Sequence, residues 1–135
     1  MSKKQGTKCE YLIDTSALYP LLISGKTFNL EQCAVSSLTE YELGNVLWKE
    51  AKTRKINVKA ASQIYSDALL ELKKISINSI ADVLTLALER NLTFYDASYV
   101  YIAEKEGLIL VTEDKEILDK CKCAKKTNDI EDLGV

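Results

Sequence analysis

Apolar and polar positions alternate along the chain in short blocks whose spacing switches between strand-like and helix-like. Tyr11-Leu12-Ile13 is an apolar run after a polar leader, and Asp14-Thr15-Ser16 offers capping side chains ahead of Ala17-Leu18-Tyr19. That order predicts strand, turn and helix. Cys33-Ala34-Val35 reads equally as a short strand or as a loop entering the next helix. Ser37-Leu38-Thr39-Glu40 matches a capping box and predicts a helix over about 37–53. Asn57 can cap a long amphipathic helix in which Val58, Ala61, Tyr65, Ala68, Leu72 and Ile75 recur at three- and four-residue steps. Ser79 starts another helix, with Ile80, Val83, Leu84 and Ala87 on one side, and Asn91 can end it in a left-handed conformation. A further helix over about 97–106 leaves at Gly107. Leu108-Ile109-Leu110-Val111 is the clearest strand, apolar on both faces, as a central parallel strand between two helical layers is. Thr112-Glu113-Asp114 caps a short helix to about Cys121, and Lys125-Lys126-Thr127 fits an edge strand.

Strands separated by helices predict an α/β fold, a three-layer α/β/α sandwich around a central parallel sheet with right-handed crossovers. Neither a repeat nor a linker divides the sequence, so one domain over 1–135 is expected, with 1–8 as a flexible leader. Ligands of such sheets bind beyond the carboxyl ends of the strands, and both confident strands deliver an aspartate there, Asp14 and Asp114.

Composition narrows the chemistry. With 135 residues, 47% of them apolar, and only five Gly and one Pro, the chain can bury a substantial core. Its aliphatic runs fall far short of the roughly 20 residues that span a bilayer. The leader lacks the hydrophobic region of a secretory signal, so a cytoplasmic protein without a membrane anchor is expected. Histidine is absent, which excludes Ser-His-Asp triads, Cys-His pairs and His-based zinc sites. Cys9, Cys33, Cys121 and Cys123 form no Cys-x-x-Cys pair, and Cys121-Lys122-Cys123 is one residue short of a zinc knuckle. They read as structural thiols, with a disulfide left open.

Acids remain. Asp14, Asp96 and Asp114 each precede a predicted helix, where capping is a sufficient role. Glu42 lies inside a helix and has no end to cap. At 100° per residue Glu40 points about 160° away from it, whereas Asn45 lies about 60° and Lys49 about 20° away. The result is a narrow polar stripe flanked by Tyr41 and Trp48 on one side and Val46 on the other. If the four acids converge, each like-charged pair at ~4 Å costs roughly 4 kcal/mol at an effective dielectric near 20. A cation must then compensate, and an all-oxygen donor set favours Mg²⁺ or Mn²⁺ over zinc. Such a site suits phosphodiester hydrolysis.

These residues resemble the PIN domain. The resemblance rests on the apolar strand ending in Asp14-Thr15-Ser16, the helical Glu42-Leu43 with Asn45-Val46-Leu47, Tyr95-Asp96-Ala97 with Tyr99-Val100-Tyr101-Ile102-Ala103, and Leu108 to Asp114. More narrowly, the chain is similar to VapC toxins of toxin–antitoxin modules. The resemblance implies a Mg²⁺- or Mn²⁺-dependent endoribonuclease whose metal ligands and catalytic acids are Asp14, Glu42, Asp96 and Asp114. Thr112 and either Thr15 or Ser16 match supporting hydroxyls, and Asn45 a polar neighbour of the helical glutamate. By the same analogy a metal-activated water attacks phosphorus and leaves a 5′-phosphate and a 3′-hydroxyl. Lys49 is then a candidate contact to a flanking phosphate, and Tyr95 or Tyr99 a platform for an unpaired base. A homodimer and a VapB-like antitoxin whose carboxy-terminal segment covers the site are also implied.

The formal charge of −2, from 18 basic and 20 acidic residues, is unusual for an RNA binder. Setting aside four metal ligands reverses the balance to 18 against 16. Alternatives stand beside this reading: a PIN nuclease of RNA maturation or decay without an antitoxin, and a noncatalytic α/β binding module, which has no use for Glu42 inside a helix. A haloacid-dehalogenase-type phosphatase needs a second aspartate where Ser16 stands.

Overall fold

A computed structural model describes residues 9–24 and 30–130, so the leader expected over 1–8 lies outside the described residues. Five strands form one sheet in the order β3-β2-β1-β4-β5, and every pairing is parallel. They are β1 (Tyr11–Ile13), β2 (Cys33–Ser36), β3 (Lys73–Ile75), β4 (Ile109–Val111) and β5 (Ala124–Lys125). Among the described residues six α-helices accompany them: α1 (Thr15–Ile23), α2 (Thr39–Lys52), α3 (Val58–Glu71), α4 (Ile80–Arg90), α5 (Phe94–Glu106) and α6 (Lys115–Lys120).

Side-chain alternation in the short strands builds both cores. Tyr11, Ile13, Cys33, Val35 and Val111 face one way and pack with Leu18 and Leu21 of α1, Leu43 and Leu47 of α2, and Ala61 and Ala68 of α3. Leu12, Ala34 and Leu110 face the other way, against Val83 and Ala87 of α4, Val100, Ile102 and Ala103 of α5, and Ile117 of α6. Strands buried on both faces carry no polar alternation, as a sheet between two helical layers requires. The architecture is the expected three-layer α/β/α sandwich.

Several local expectations hold. Asn57 and Ser79 cap α3 and α4 through their side chains, and Asn91 and Gly107 end α4 and α5 with left-handed backbone. The long helix toward Ile75 instead stops at Glu71, and Lys73–Ile75 forms the edge strand β3. Its exposed lysines hide the strand from a periodicity argument, because an edge strand needs only one apolar contact face. The expected capping box does not form either. Helix α2 begins at Thr39, Ser37 bonds Ser76, and Glu40 pairs with Lys74 of the β3 edge.

The chain runs outward from β1 to β2 and β3, then returns to β4 on the other side of β1. The direction of winding therefore reverses between β1 and β4. A crevice opens there at the carboxyl ends of the strands.

Candidate active site

A cleft of about 500 Å³ occupies this carboxyl edge. Asp14, Thr15 and Ser16 line it from the β1–α1 corner, Leu38, Tyr41, Glu42, Asn45 and Val46 from α2 and its approach, Tyr95 and Asp96 from the first turn of α5, and Asp114 from the corner after β4. All four acids singled out in the sequence thus share one cavity, although they come from four separate parts of the chain.

Asp14 is buried, and it caps nothing with its side chain. Its Oδ2 accepts hydrogen bonds from Ser16 Oγ at 2.8 Å and Thr112 Oγ1 at 2.7 Å. Those hydroxyls in turn accept the backbone N–H groups of Glu113 and Asp114, each at 3.0 Å. Both oxygens therefore act twice, donating to the acid and accepting from the chain that leaves β4. This arrangement fixes the β4 corner to the β1 corner.

Glu42 is anchored by a directional relay. Its Oε1 accepts from Tyr99 Oη at 2.6 Å and from Thr15 Oγ1 at 3.1 Å. With its proton committed to Glu42, Tyr99 accepts from Thr39 Oγ1 at 2.8 Å, and Thr39 accepts the N–H of Ser36 at 3.2 Å. Thr39 is fully buried and Tyr99 is 1% exposed. Sequence reasoning missed Thr39 and assigned Tyr99 to base stacking. Burial rules stacking out, and the phenol positions Glu42 instead.

Asp114 caps α6, its Oδ1 accepting from the Ile117 N–H at 3.2 Å. Asp96 is not a cap. Helix α5 starts earlier than expected because Thr93 provides the cap, accepting the Asp96 N–H at 3.1 Å, so Asp96 sits in the first turn. Negative charge at that helix end interacts favourably with the macrodipole.

The acids sense one another. Burial raises the pKa of Asp14 against the opposing hydrogen bonds from Thr112 and Ser16, and the charge of Asp114 raises it further. Burial likewise raises Glu42, with the Tyr99 bond opposing and the Asp14 charge adding. Asp96 is pushed up to about 6 by burial and then by the charges of Asp114, Asp14 and Glu42. Mutual repulsion of this kind disfavours full ionisation without a counter-charge.

The expected cage is more open than the sequence implied. Among the described residues, no three of these acids bring carboxylate oxygens within 4.8 Å of one another; Glu104, Cys121 and Cys123 are the group of ligand atoms that do. Asp14, Glu42 and Asp114 are each committed to hydrogen bonds of their own, whereas the Asp96 side chain makes none among the described residues. The donor set still fits Mg²⁺, an ion that retains several waters and takes one or two carboxylates directly. It does not fit zinc, which prefers nitrogen and sulfur.

Asn45 and exposed Tyr95 line the cleft, as does Tyr41, which the sequence marked only as a flank. Lys49 does not line it. Seven residues past Glu42 restore its direction around the helix but carry it roughly 10 Å along the axis, beyond the cavity. Trp48 borders a separate apolar groove with Leu47, Val58 and Tyr65.

The PIN domain model matches residues 11–122. The chain belongs to the PIN domain family. This PIN domain is 46% identical over 117 residues to Exonuclease VapC9 of Pyrobaculum aerophilum, covering 85% of this chain and 88% of the relative. It is 32% identical over 121 residues to Ribonuclease VapC3 of the same organism, across 81% and 92% of the two chains. Its fold superposes on the crystal structure of PAE2754 from Pyrobaculum aerophilum with a TM-score of 0.80, 43% identity and 93% and 90% coverage. A toxin–antitoxin complex from Klebsiella pneumoniae shares the fold at a TM-score of 0.63 and 22% identity, over 87% of this chain and 97% of that one. The PIN domain here is therefore VapC-like. No helix among its described residues is long and apolar enough to cross a membrane.

Proposed function

We propose that this PIN domain is a VapC-type nuclease, a Mg²⁺- or Mn²⁺-dependent endoribonuclease that acts as the toxin of a toxin–antitoxin pair. The observation that carries this reading is the assembly of Asp14, Glu42, Asp96 and Asp114 around one cleft at the winding reversal of the sheet. VapC-named relatives, one called a ribonuclease, support the nuclease class.

A bound divalent ion supplies a water of lowered pKa and offsets charge that builds on the phosphate oxygens. The protein's share is positional. Asp14 and Glu42 present anionic oxygens locked by hydroxyl donors, while Asp96 and Asp114 face them from the α5 and α6 ends. Tyr95, exposed at the rim, is placed to stack on an unpaired base, and Asn45 to bond a sugar or phosphate oxygen. The apolar groove between α2 and α3 offers a surface for an antitoxin helix, and a homodimer follows from the family resemblance.

The relative named an exonuclease favours a second reading, removal of nucleotides from RNA ends. Incubating purified protein with matched linear and circular single-stranded RNAs, with Mn²⁺ or EDTA and with Asp14→Asn, tests both. Endonucleolytic action opens the circle in Mn²⁺ and is lost with EDTA or the variant. An intact circle beside a digested linear RNA establishes the exonuclease, and cleavage that survives both controls overturns the site.

A further inference from the structure

We propose that Cys121 and Cys123 are a reversible dithiol–disulfide pair, a modification site separate from the acidic cleft. One residue separates the two thiols at the turn from α6 into β5, and their sulfurs lie 2.8 Å apart. Cys121 is 3% exposed and Cys123 half-buried, so the pair sits at the margin of the core beneath α5 and α6.

Its surroundings favour oxidation over metal chelation. Glu104 brings a carboxylate oxygen within 4.8 Å of both sulfurs, completing three soft-and-hard donors. Both Glu104 oxygens, however, are already held by the Arg90 fork, at 2.7 and 2.9 Å. That pairing leaves Glu104 no oxygen free of the guanidinium for a metal ion, and at the sulfurs the two charges offset each other. The two sulfurs share one hydrogen bond, which outweighs burial and the Glu104 charge, with the Arg90 charge a smaller aid, and brings Cys121 down to about 7 while Cys123 is pushed up. The other two cysteines behave differently. Cys9 donates to the Cys33 backbone carbonyl at 3.8 Å, and burial pushes the Cys33 thiol up to about 12, which keeps it protonated and slow.

The oxidant in this proposal is hydrogen peroxide, a small neutral molecule. The Cys121 thiolate attacks one peroxide oxygen, the O–O bond breaks, and hydroxide leaves a sulfenic acid on Cys121. The Cys123 sulfur then attacks the Cys121 sulfur, the S–O bond breaks, and the departing hydroxide takes the Cys123 proton as water. Across both steps the two sulfurs lose two electrons and peroxide becomes two waters, the hydroxide of the first step taking up the proton that Cys121 released on ionising. A thiol reductant reverses the bond by exchange. The product ties the end of α6 to the strand start where the Cys123 carbonyl accepts the Leu110 N–H at 3.0 Å.

The test treats the reduced full chain with equimolar hydrogen peroxide and reads intact mass, thiol count and tryptic linkage, since trypsin cuts after Lys122 between the two cysteines. The expected result is a loss of about 2 Da, a fall from four thiols to two, a linked Cys121–Cys123 peptide pair, and reversal by dithiothreitol. Cys121→Ser and Cys123→Ser each abolish the mass loss. Retention of four thiols, a bond that maps to Cys9 and Cys33 or between chains, or oxidation confined to one cysteine overturns the proposal.

Discussion

Asp14 and Glu42, one wall of the cleft, are held by the hydroxyls of Ser16, Thr112, Thr15 and Tyr99, whereas Asp96 and Asp114, a second wall, rest on helix ends and one backbone N–H. The first wall is knitted across α1, α2, α5 and the β4 corner. The second wall depends on charge. Asp96, whose side chain makes no hydrogen bond among the described residues, is pushed up to about 6 by burial and its acidic neighbours. The two walls thus differ in how they are held, one by hydroxyl donors and one by helix ends and charge.

Breaking the hydroxyl-held wall has the largest effect. Asp14→Asn removes an anionic donor but keeps an oxygen for the Ser16 and Thr112 hydroxyls. RNA cleavage in Mn²⁺ is expected to fall by about 10²-fold or more, while the metal-free melting temperature stays level or rises as repulsion is relieved. Next comes Tyr99→Phe, which keeps the buried ring and deletes only the phenol. Loss of a ligand-orienting bond predicts about 10–100-fold weaker Mn²⁺ affinity by calorimetry, with cleavage recovering at high Mn²⁺. A defect that excess metal does not relieve contradicts a positioning role.

Substitutions at the charge-dependent wall sharpen the contrast. Asn is as good an N-cap as Asp, so Asp114→Asn is expected to lose cleavage without loss of stability, whereas Asp114→Ala loses cleavage and about 1 kcal/mol of stability in denaturant melts. A carboxylate whose folded pKa lies above its unfolded value holds its proton more tightly when folded. Its stabilisation is complete below the unfolded pKa and is lost as pH rises through the folded value. For Asp96 that window runs from its ordinary value of 3.8 to about 6, and Asp14 and Glu42 shift in the same direction. In EDTA the melting temperature should therefore decline between about pH 4 and pH 7, by the equivalent of about 1 kcal/mol for Asp96 after solvent screening. Mn²⁺ should flatten that decline. The smallest effect is Lys49→Ala, expected within about two-fold of wild-type cleavage because the side chain lies outside the cleft and an exposed charge contributes little.

Much of this was legible in the sequence because the signals were local. The Asp14 corner, the Ser79 and Asn91 ends of α4 and the apolar run into Val111 each carry their cause within a few residues. Glu42 stood out because nothing local explained an acid there. What the sequence hid depends on distant parts of the chain. Thr39 reads as a capping-box residue until the approach of α5 turns it into the donor for Tyr99, 60 residues away. Lys73–Ile75 reads as a helix end until β2 pairs with it. Lys49 misled for a simpler reason, since a helical wheel projects direction and discards height.

A crystal of the full chain soaked in Mn²⁺, examined at a wavelength where manganese scatters anomalously, tests the shared cleft most directly. The account predicts an anomalous peak between the two walls, bonded to at least two of Asp14, Glu42, Asp96 and Asp114 and completed by waters. A peak found only beside Glu104, Cys121 and Cys123, or a cleft with none at saturating Mn²⁺, would contradict it.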